Sequence, residues 1–282
     1  MTLQNLQADM RDRLVSLRRF HRRLNRWPNI IRPKRFTDYL LKERLFCNPD
    51  DPFLVMTADK YAARSYVKSR VGEEILSRLF FDVKSAEDIS LESIQCPFVL
   101  KSSHGNSQMV VVEDKSEING GNLKDMCGKW LQKKFPLWYR RIPPRILAEE
   151  YLGLSDANGP LIENVPKDYK FFVFSGKVQL IMVDTSRFCG HQRSVFTPDW
   201  EYINVECVYP TAGPLEKPKN LQYMSWVASA LAGDREFMRV DLYDLGDRVV
   251  FGEITHSPHA AVIRFRPDSF DFKMGELWAS SK

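Results

Sequence analysis

The stretch FMRVDLYDLGDRVVFGEITHSP, residues 237–258, contains two apolar runs separated by a turn, and each run carries one acid. Side chains of a strand alternate between its two faces, so each run has an apolar face and a face that carries its acid. Folding the runs about the turn predicts that Asp241 lies close to residues 250–252 and Glu253 near residues 238–239. The stretch therefore predicts a hairpin with two carboxylates on the same side.

Two acids on one face of a sheet repel each other unless a positive charge lies between them. A hard divalent ion meets this need, and Mg²⁺ is commonly bound by one or two carboxylates together with phosphates. Arg239, on the same face as Asp241, can bind a further phosphate or carboxylate oxygen as a fork. The alternative is that Asp241 and Glu253 pair only with Arg239, Arg248 or lysines. The sequence alone leaves both interpretations open.

A second pattern that points to phosphate is VLKSSHGNSQMVVV, residues 99–112. Lys101 ends one predicted strand, and a loop of small and polar residues precedes the next strand. Such a loop leaves backbone N–H groups free to bind phosphate oxygens, and a nearby lysine supplies a point charge for them. A single glycine-containing loop of this kind also fits an ordinary surface turn.

A third pattern is LAEEYLG, residues 147–153, in which two acids end an apolar strand. Burying such acids without partners is costly. A carboxylate oxygen of Glu149 or Glu150 could accept the exocyclic amine of adenine, and a main-chain N–H near Leu152 could donate to the ring. The alternative is a strand that runs out into solvent.

The order of these patterns indicates an α+β chain with a site for ATP and Mg²⁺. Predicted hairpins at 168–184 and 237–258 flank a predicted helix at 221–233, and antiparallel hairpins mixed with helices are typical of α+β proteins. The turn of the first hairpin is expected at Ser175–Gly176. No GxxxxGK[ST] motif occurs, and neither HRD nor DFG is present, which argues against P-loop enzymes and protein kinases.

Charge is unevenly distributed along the 282 residues. Residues 1–35 contain ten Lys/Arg and two acids, a net +8, whereas the remainder contains 31 basic and 34 acidic residues, a net −3. Such a chain is not typical of a nucleic-acid enzyme, since its basic character belongs to one segment. Residues 5–26 are predicted to be a basic helix that lies on an anionic membrane surface or packs on the protein body. The sequence leaves that choice open.

The remaining composition indicates a cytoplasmic protein. A hydrophobic fraction of 44% is enough for a sizeable core in one large domain or two packed domains. No apolar run is long enough to span a membrane, and the N-terminus lacks an apolar signal core. The five cysteines are scattered without CxxC spacing, which fits a reducing compartment.

The chain resembles the ATP-grasp enzymes, and more closely the teichuronopeptide-biosynthesis (TupA-like) ATP-grasp family of polysaccharide gene clusters. The resemblance runs from about residue 55 to the C-terminus. Five segments carry it: DKYAARSYVKSRVGEE (59–74), PFVLKSSHGNSQMVVVEDK (97–115), PRILAEEYLG (144–153), DYKFFVFSGKVQLI (168–181) and MRVDLYDLGDRVVFGEIT (238–255).

The resemblance implies an ATP-grasp fold, in which two α+β subdomains clasp ATP, preceded here by a shortened helical region. The implied boundaries are a basic helical region at 1–55, a first subdomain with the phosphate loop at 56–150 and a second with the metal hairpin at 151–282. It also implies nucleotide-binding residues: Lys60 and Lys101 for the phosphates, His104 and Gly105 in the covering loop, Glu149 or Glu150 with Leu152 for adenine, and Asp168 for the ribose with Lys170 beside it.

The resemblance further implies that Asp241 and Glu253 bind Mg²⁺, and that Arg239 and Lys101 stabilise the transferring phosphoryl group. Three features depart from the family pattern: the loop HGNSQ lacks a second glycine, Thr255 stands where many relatives have an Asn ligand, and THSPHAA brings two histidines near the metal. Those histidines are His256 and His259. Arginines near this hairpin are candidate anchors for a substrate carboxylate: Arg187, Arg193, Arg264 and Arg266.

The implied activity is a ligase that phosphorylates a carboxylate and joins it to an amine. By resemblance the carboxylate belongs to a uronic acid or amino acid destined for a capsule, O-antigen or related polymer. Two alternatives stay open. One is a kinase for a sugar or lipid headgroup. The other is a non-catalytic nucleotide-binding subunit, or a partner labelled as a glycosyltransferase, in a polysaccharide assembly.

Overall fold

The computed structural model describes residues 3–117, 120–153, 165–186 and 190–281. The chain forms two compact units, a large unit of residues 1–48 and 167–282 and a small unit of residues 49–166. Each unit combines helices with an antiparallel sheet, so the predicted α+β class is confirmed. The predicted domain boundaries, after residue 55 and after residue 150, remain predictions. Within the described residues, no helix combines the length and apolar character that a bilayer crossing requires.

The elements are numbered in chain order. The described α-helices are α1 Leu3–Leu24, α2 Phe36–Phe46, α3 Pro52–Ala58, α4 Ala62–Val71, α5 Gly120–Gln132, α6 Leu221–Ala232 and α7 Ser269–Ser280. The described strands are β1 Leu79–Val83, β2 Phe98–Ser102, β3 Met109–Val112, β4 Ile146–Glu150, β5 Asp168–Phe174, β6 Lys177–Thr185, β7 Gln192–Phe196, β8 Tyr202–Ile203, β9 Glu206–Cys207, β10 Met238–Asp244, β11 Val249–Thr255 and β12 Phe265–Arg266.

The small unit contains an antiparallel sheet with strand order β1-β4-β2-β3. One face of this sheet is apolar, and the other carries charged side chains. Phe98, Leu100 and Ala148 point to the apolar face, where they pack into one core with residues of α5. Because side chains alternate, Lys101 on β2 and Glu149 on β4 share the opposite face. The pairing of these two strands therefore brings two residues of different sequence motifs together.

Helix α3 begins at Pro52, directly after Asp51. The Asp51 side chain accepts a hydrogen bond from the Phe53 amide at 2.9 Å, and Pro52 occupies the first turn. An aspartate cap followed by proline is a favoured helix start, because proline has no N–H to leave unsatisfied there.

In the large unit, a six-stranded antiparallel sheet has the order β11-β10-β5-β6-β7-β8. The predicted β5–β6 hairpin is confirmed, with Ser175 and Gly176 both at positive φ in its turn, as a two-residue hairpin turn requires. Strand β5 is buried along its whole length, as expected for a central strand. This placement puts the polar residues of β5 inside the protein, so that they need charged or hydrogen-bonding partners.

The β10–β11 hairpin is also confirmed, but its register differs from the predicted one. Asp241 lies directly opposite Glu253, not opposite residues 250–252. The next pair is Leu242 with Phe251, so Gly252 is an extra residue on β11 and forms a β-bulge. The sequence-based count about the turn could not include this bulge, which brings the two carboxylates closer than predicted.

The C-terminal residues form helix α7. Phe270, Met274 and Trp278 recur every four residues and are buried, and all three belong to one core with Phe20 of α1 and Phe36 of α2. The four-residue spacing is the sequence signal that indicates this helix.

We expect Gly275→Ala to destabilise the protein. A Cβ at Gly275 would lie 2.2 Å from the backbone oxygen of Lys34, so α7 or the chain before α2 must shift. We expect a loss of about 1–3 kcal/mol in the free energy of unfolding, as in other overpacked sites. Gly128→Ala in α5 is the matched control, since its Cβ would have no neighbour nearer than 4.0 Å. The control should be stabilised by up to about 1 kcal/mol. Equal effects of the two changes in chemical denaturation would contradict the close approach of α7.

Candidate functional site

Three strands of the large unit bring acids around Lys170. Its Nζ donates to Asp168 Oδ2 at 2.5 Å and to Asp241 Oδ2 at 2.8 Å, and Asp184 Oδ2 lies 3.6 Å away. The register explains the cluster, because Lys170 pairs with Asp241 on one side while Asp168 pairs with Asp184 on the other. Burial acts to lower the pKa of Lys170, but Asp168 and Asp241 outweigh burial and raise it. Lys170 therefore stays charged.

Arg239 lies between the two acids of the β10–β11 hairpin. Its Nε and Nη2 donate to the two oxygens of Asp241, each at 2.7 Å, and Nη2 also donates to Glu253 Oε1 at 2.8 Å and to Thr255 Oγ1 at 3.0 Å. Both acids therefore have an arginine partner, which was the alternative to a metal that the sequence left open. Burial raises the pKa of Asp241 despite the neighbouring Arg239 and Lys170.

The donor set of the hairpin fits Mg²⁺ in its usual protein environment. Asp241 and Glu253 supply hard carboxylate oxygens, and the Glu253 side chain is 38% exposed and therefore accessible. Within the part of the chain that the structure describes, no three His, Cys, Asp or Glu side chains form a metal site by themselves. A magnesium ion here would take its remaining ligands from phosphate and water, as it commonly does.

A buried pair that the sequence did not predict lies beside this cluster. Arg193 on β7 donates from Nε to Asp184 Oδ1 at 2.5 Å and from Nη2 to Asp184 Oδ2 at 2.8 Å. Its remaining terminal nitrogen, Nη1, lies 3.2 Å from His259 Nε2 and 3.5 Å from the Cys207 carbonyl oxygen. Arg193 was proposed as an anchor for a substrate carboxylate, but it is 3% exposed and its donors face protein groups, so the structure contradicts that prediction.

Three other arginines were proposed as anchors for a substrate carboxylate. Arg264 donates from Nη2 to the Arg23 carbonyl oxygen at 2.5 Å. Arg266 is exposed and lies 3.6 Å from Glu206. Arg187 lies outside the described residues. Of the two histidines expected near the hairpin, His259 contacts Arg193, and burial together with Arg193 lowers its pKa to about 3, so it is neutral at pH 7.

Backbone strain is concentrated around Arg193. His259, Ala260 and Ala261 have φ values of 50°, 54° and 66°, and Val208 has a φ of 66°. Non-glycine residues rarely adopt this region, and a β-branched valine adopts it least readily. Strained residues are frequent at binding and catalytic sites, where the surrounding packing holds them. Here they flank the Asp184–Arg193 pair on two sides.

In the small unit, the ammonium of Lys101 lies 2.7 Å from Glu149 Oε2. Ser77 Oγ also donates to Glu149 Oε2 at 2.8 Å, and Arg64 Nη1 lies 3.7 Å from Oε1. Burial acts to raise the pKa of Glu149, but Lys101 and the other donors outweigh it, so the pKa is lowered. The carboxylate of Glu149, predicted to face adenine, is thus buried and accepts hydrogen bonds from Lys101 and Ser77. Glu150, the alternative, accepts from the Arg78 amide at 2.7 Å, and Leu152 follows the end of its strand.

The predicted phosphate loop accepts hydrogen bonds from Lys60. Lys60 Nζ donates to the Gly105 carbonyl oxygen at 2.6 Å, and the Lys60 amide donates to the Ser103 carbonyl at 3.0 Å. His104 Nε2 bonds to the Lys133 carbonyl at 3.1 Å. Two buried nitrogens of the loop, His104 Nδ1 and Gln108 Nε2, have no hydrogen-bond partner among the described residues. Gln108 Nε2 is a donor, so an anionic ligand of this loop could accept its hydrogen bond. His104 Nδ1 is an acceptor in the neutral ring, because Nε2 carries the proton donated to the Lys133 carbonyl.

A cavity of about 520 Å³ opens in the small unit beside Lys60, and Asp59 and Tyr61 line it together with apolar residues of α3 and two arginines. One of these, Arg145, stacks on the Tyr61 ring with its Cζ 4.4 Å from the ring centre. Both arginines already have carboxylate partners, Arg141 with Asp50 and Arg145 with Asp82. Since Asp50 and Asp59 also line the cavity, its lining carries charges of both signs beside an apolar wall.

Comparison with known families decides the identity of the fold. The chain matches the family model described as TupA-like ATPgrasp over residues 41–279. The chain belongs to the TupA-like ATP-grasp family. The resemblance inferred from the sequence is therefore confirmed. No curated protein sequence matches the chain significantly.

Solved ATP-grasp structures share the fold at low sequence identity. A D-alanine–D-alanine ligase from Bacillus anthracis has 16% identity and a TM-score of 0.50, and the match covers 80% of this chain and 67% of that one. The same ligase complexed with ATP has 13% identity and a TM-score of 0.43, with 72% and 54% covered. The ATP-grasp ligase PsnB, complexed with minimal precursor, Mg and ADP, has 9% identity and a TM-score of 0.46, with 87% and 66% covered. This chain thus spans about half the length of the ATP-bound ligase.

Membership of the TupA-like ATP-grasp family explains the fold. At such low sequence identity to solved structures, the site residues are assigned from the contacts within this chain. In the large unit, five predicted residues lie in one network: Asp168, Lys170, Arg239, Asp241 and Glu253. In the small unit, Lys101 contacts Glu149, and Lys60 contacts Gly105. Asp184 and Arg193 were missed as a pair, although Asp184 lies at the end of an apolar run.

Proposed function

We propose that the protein is an ATP- and Mg²⁺-dependent ligase that joins a carboxylate to an amine through an acyl phosphate. The observation that carries the proposal is the pairing of Asp241 with Glu253 across the bulged hairpin, with Arg239 between them. Solved ATP-grasp relatives are ligases, and some were solved with ATP or with Mg and ADP. In this proposal ATP supplies the phosphoryl group and Mg²⁺ neutralises charge on its phosphates.

The residues of the large unit have charges that suit this role. Arg239 and Lys170 are buried cations, and each donates to carboxylates. A phosphate oxygen can replace a carboxylate as the partner of such a cation, while the released carboxylate can bind the metal. We propose that Arg239 stabilises charge on the transferring phosphoryl group and that Asp241 and Glu253 bind Mg²⁺. Asp168 would contact the ribose, with Lys170 beside it.

In the small unit, we propose that Lys60 and Lys101 bind phosphate oxygens beneath the loop that contains His104 and Gly105. The unpartnered amide donor of this loop, Gln108 Nε2, supports an anionic ligand. The contacts of Glu149 with Lys101 and Ser77 favour Glu150 as the acid for adenine, with the backbone near Leu152. A carboxylate that already accepts from Lys101 and Ser77 has fewer lone pairs to offer.

The substrate class is proposed from the family. The TupA-like ATP-grasp family occurs in polysaccharide gene clusters, so we propose a uronic acid or amino acid as the carboxylate and a glycan or small-molecule amine as its partner. Because the reaction consumes ATP, we propose that it takes place in the cytoplasm. The proposed product is an amide in a capsule or O-antigen precursor.

Release of ADP tests the proposal. Purified protein with Mg²⁺-ATP is assayed against panels of uronic acids, amino acids and amines, and ADP is measured by a coupled assay. We expect ADP release that needs Mg²⁺, a carboxylate and an amine together, with an amide product detected by mass spectrometry. ADP release that needs no amine, with a stable phosphorylated sugar, would make the protein a kinase. ATP binding measured by calorimetry without any turnover would favour a non-catalytic nucleotide-binding subunit.

A further inference from the structure

Helix α1 has two different faces. Asp9, Ser16 and Phe20 are buried against the rest of the large unit. On the outward side, the apolar side chains of Met10, Leu14 and Val15 are about half exposed. Met10 and Leu14, at i and i+4, are neighbours on the helix surface, and Val15 lies at the other edge of the outward face.

Three arginines share this outward face. Arg11, Arg18 and Arg22 recur at seven- and four-residue spacing, and all three are exposed. None of the three has an acidic partner among the described residues. On a helix with 3.6 residues per turn, this spacing places them beside Leu14 and Val15. The face therefore combines apolar side chains with unpaired positive charge.

The segment that follows α1 continues this composition. Ile31 is 85% exposed and Trp27 is 62% exposed, and the Trp27 ring stacks on His21 with ring centres 4.2 Å apart. Arg32 and Lys34 nearby are also exposed. Tryptophan beside arginine and lysine is typical of the interface between a membrane and water, where an indole and a basic side chain both find suitable surroundings.

We propose that the outward face of α1, with Trp27 and Ile31, binds the surface of an anionic lipid bilayer. Three partners could cover this face: a second copy of the chain, a nucleic acid or an anionic bilayer. The charge and the apolar side chains of the face distinguish between them. A second copy of the chain would bring like-charged arginines together, and a nucleic acid would leave the apolar side chains in water. An anionic bilayer matches both components, since its headgroups attract the arginines and its acyl boundary receives the apolar side chains. The proposal goes beyond the ligase function and does not depend on it.

Co-sedimentation of the full chain with vesicles tests the proposal. The vesicles contain phosphatidylcholine alone or phosphatidylcholine with phosphatidylglycerol, and the partition coefficient is measured at low and high salt. We expect binding to the anionic vesicles that weakens strongly from 0.1 M to 1 M salt, where the screening length falls from about 10 Å to about 3 Å. Arg11→Gln, Arg18→Gln and Arg22→Gln combined should weaken binding about a hundredfold, or about fivefold for each arginine.

A charge-matched control separates this face from net charge. Lys217→Gln, Lys219→Gln and Lys273→Gln remove the same three charges from exposed positions elsewhere in the large unit. This control should bind the anionic vesicles nearly as well as the wild type. Met10→Gln with Leu14→Gln should weaken binding at least about tenfold without changing the charge.

Three outcomes would overturn the proposal. The first is an absence of binding to anionic vesicles at low salt. The second is an equal loss of binding in the helix triple variant and in the control triple variant, which would indicate attraction by net charge alone. The third is a dimer in analytical ultracentrifugation that Met10→Gln with Leu14→Gln dissociates, which would assign the face to a second copy of the chain.

Discussion

Glu253→Gln is expected to reduce ADP-forming turnover by a factor of about 10²–10³, with little change in stability. The substitution removes one negative charge and keeps an oxygen that can accept from Arg239 Nη2 and from Thr255 Oγ1, both of which now bond to Glu253 Oε1. A neutral amide oxygen is a weaker ligand for Mg²⁺ than a carboxylate. Removing one preorganised electrostatic group at a reacting centre typically costs a factor of this size.

The small stability change follows from exposure. The Glu253 side chain is 38% exposed, and Arg239 keeps its two bonds to Asp241 in the variant. A partly exposed ion pair contributes at most about 1 kcal/mol. Asp241→Asn is a less clear test, because Asp241 is buried between Arg239 and Lys170. Removing one partner of a buried pair costs about 3–5 kcal/mol, so a loss of activity there could follow from unfolding.

A matched control for this prediction exists in the same unit. Glu206 also lies near an arginine, Arg266, at 3.6 Å, and its side chain is 47% exposed. Glu206→Gln should leave turnover within about twofold of the wild type, whereas Glu253→Gln should also raise the Mg²⁺ concentration needed for half-maximal ADP release. Turnover of Glu253→Gln within threefold of the wild type at low Mg²⁺ would mean that the hairpin acids only partner Arg239.

The hairpins of the large unit could be predicted because their signals are local. Apolar alternation and the dipeptide Ser175–Gly176 specify β5 and β6 without knowledge of the rest of the chain. The bulge at Gly252 could not be predicted, since it depends on how β11 fits β10. Strand β1 was missed because its apolar run is short. Helix α7 was missed because its four-residue repeat of Phe270, Met274 and Trp278 lies among polar residues.

Some residues of the candidate site could likewise be predicted from local sequence, whereas others could not. The acids Asp241 and Glu253 stand out in the sequence because an apolar strand seldom carries a carboxylate. Their partners are less apparent, since Lys170 reaches Asp241 only through the pairing of β5 with β10. Arg193 was interpreted as a substrate anchor because it flanks the loops expected near the metal hairpin. The structure pairs it with Asp184 across two adjacent strands, which no local pattern indicates.

Arg193→Met is expected to lower the free energy of unfolding by about 3–5 kcal/mol at pH 7. The substitution leaves Asp184 buried without its two guanidinium bonds, and an uncompensated buried charge is strongly destabilising. Lys170 at 3.6 Å and His191 at 3.4 Å are too far from Asp184 to replace those bonds. If Arg193 were instead an exposed anchor for substrate, the variant would keep its stability and show only a raised KM.

The pH dependence of this loss gives a second and independent check. Burial acts to raise the pKa of Asp184, but the bonds from Arg193 outweigh burial and hold the pKa well below its usual range. A depressed pKa stabilises the folded state at pH values above the unfolded pKa of about 3.9, and this stabilisation is lost as pH falls through the folded pKa. The variant lacks the depression. The difference in unfolding free energy between wild type and variant should therefore shrink as the pH is lowered from 7 towards 3.

Arg266→Met is the control for this measurement, since Arg266 is 72% exposed and its partner Glu206 is also accessible to water. It should change the free energy of unfolding by less than about 0.5 kcal/mol at every pH. Denaturant titrations of wild type, Arg193→Met and Arg266→Met at pH 7, 4 and 3 compare the three proteins directly. A difference for Arg193→Met that stays constant with pH would show that lost packing against Tyr209, where the guanidinium lies 4.9 Å from the ring centre, outweighs the charge of Asp184.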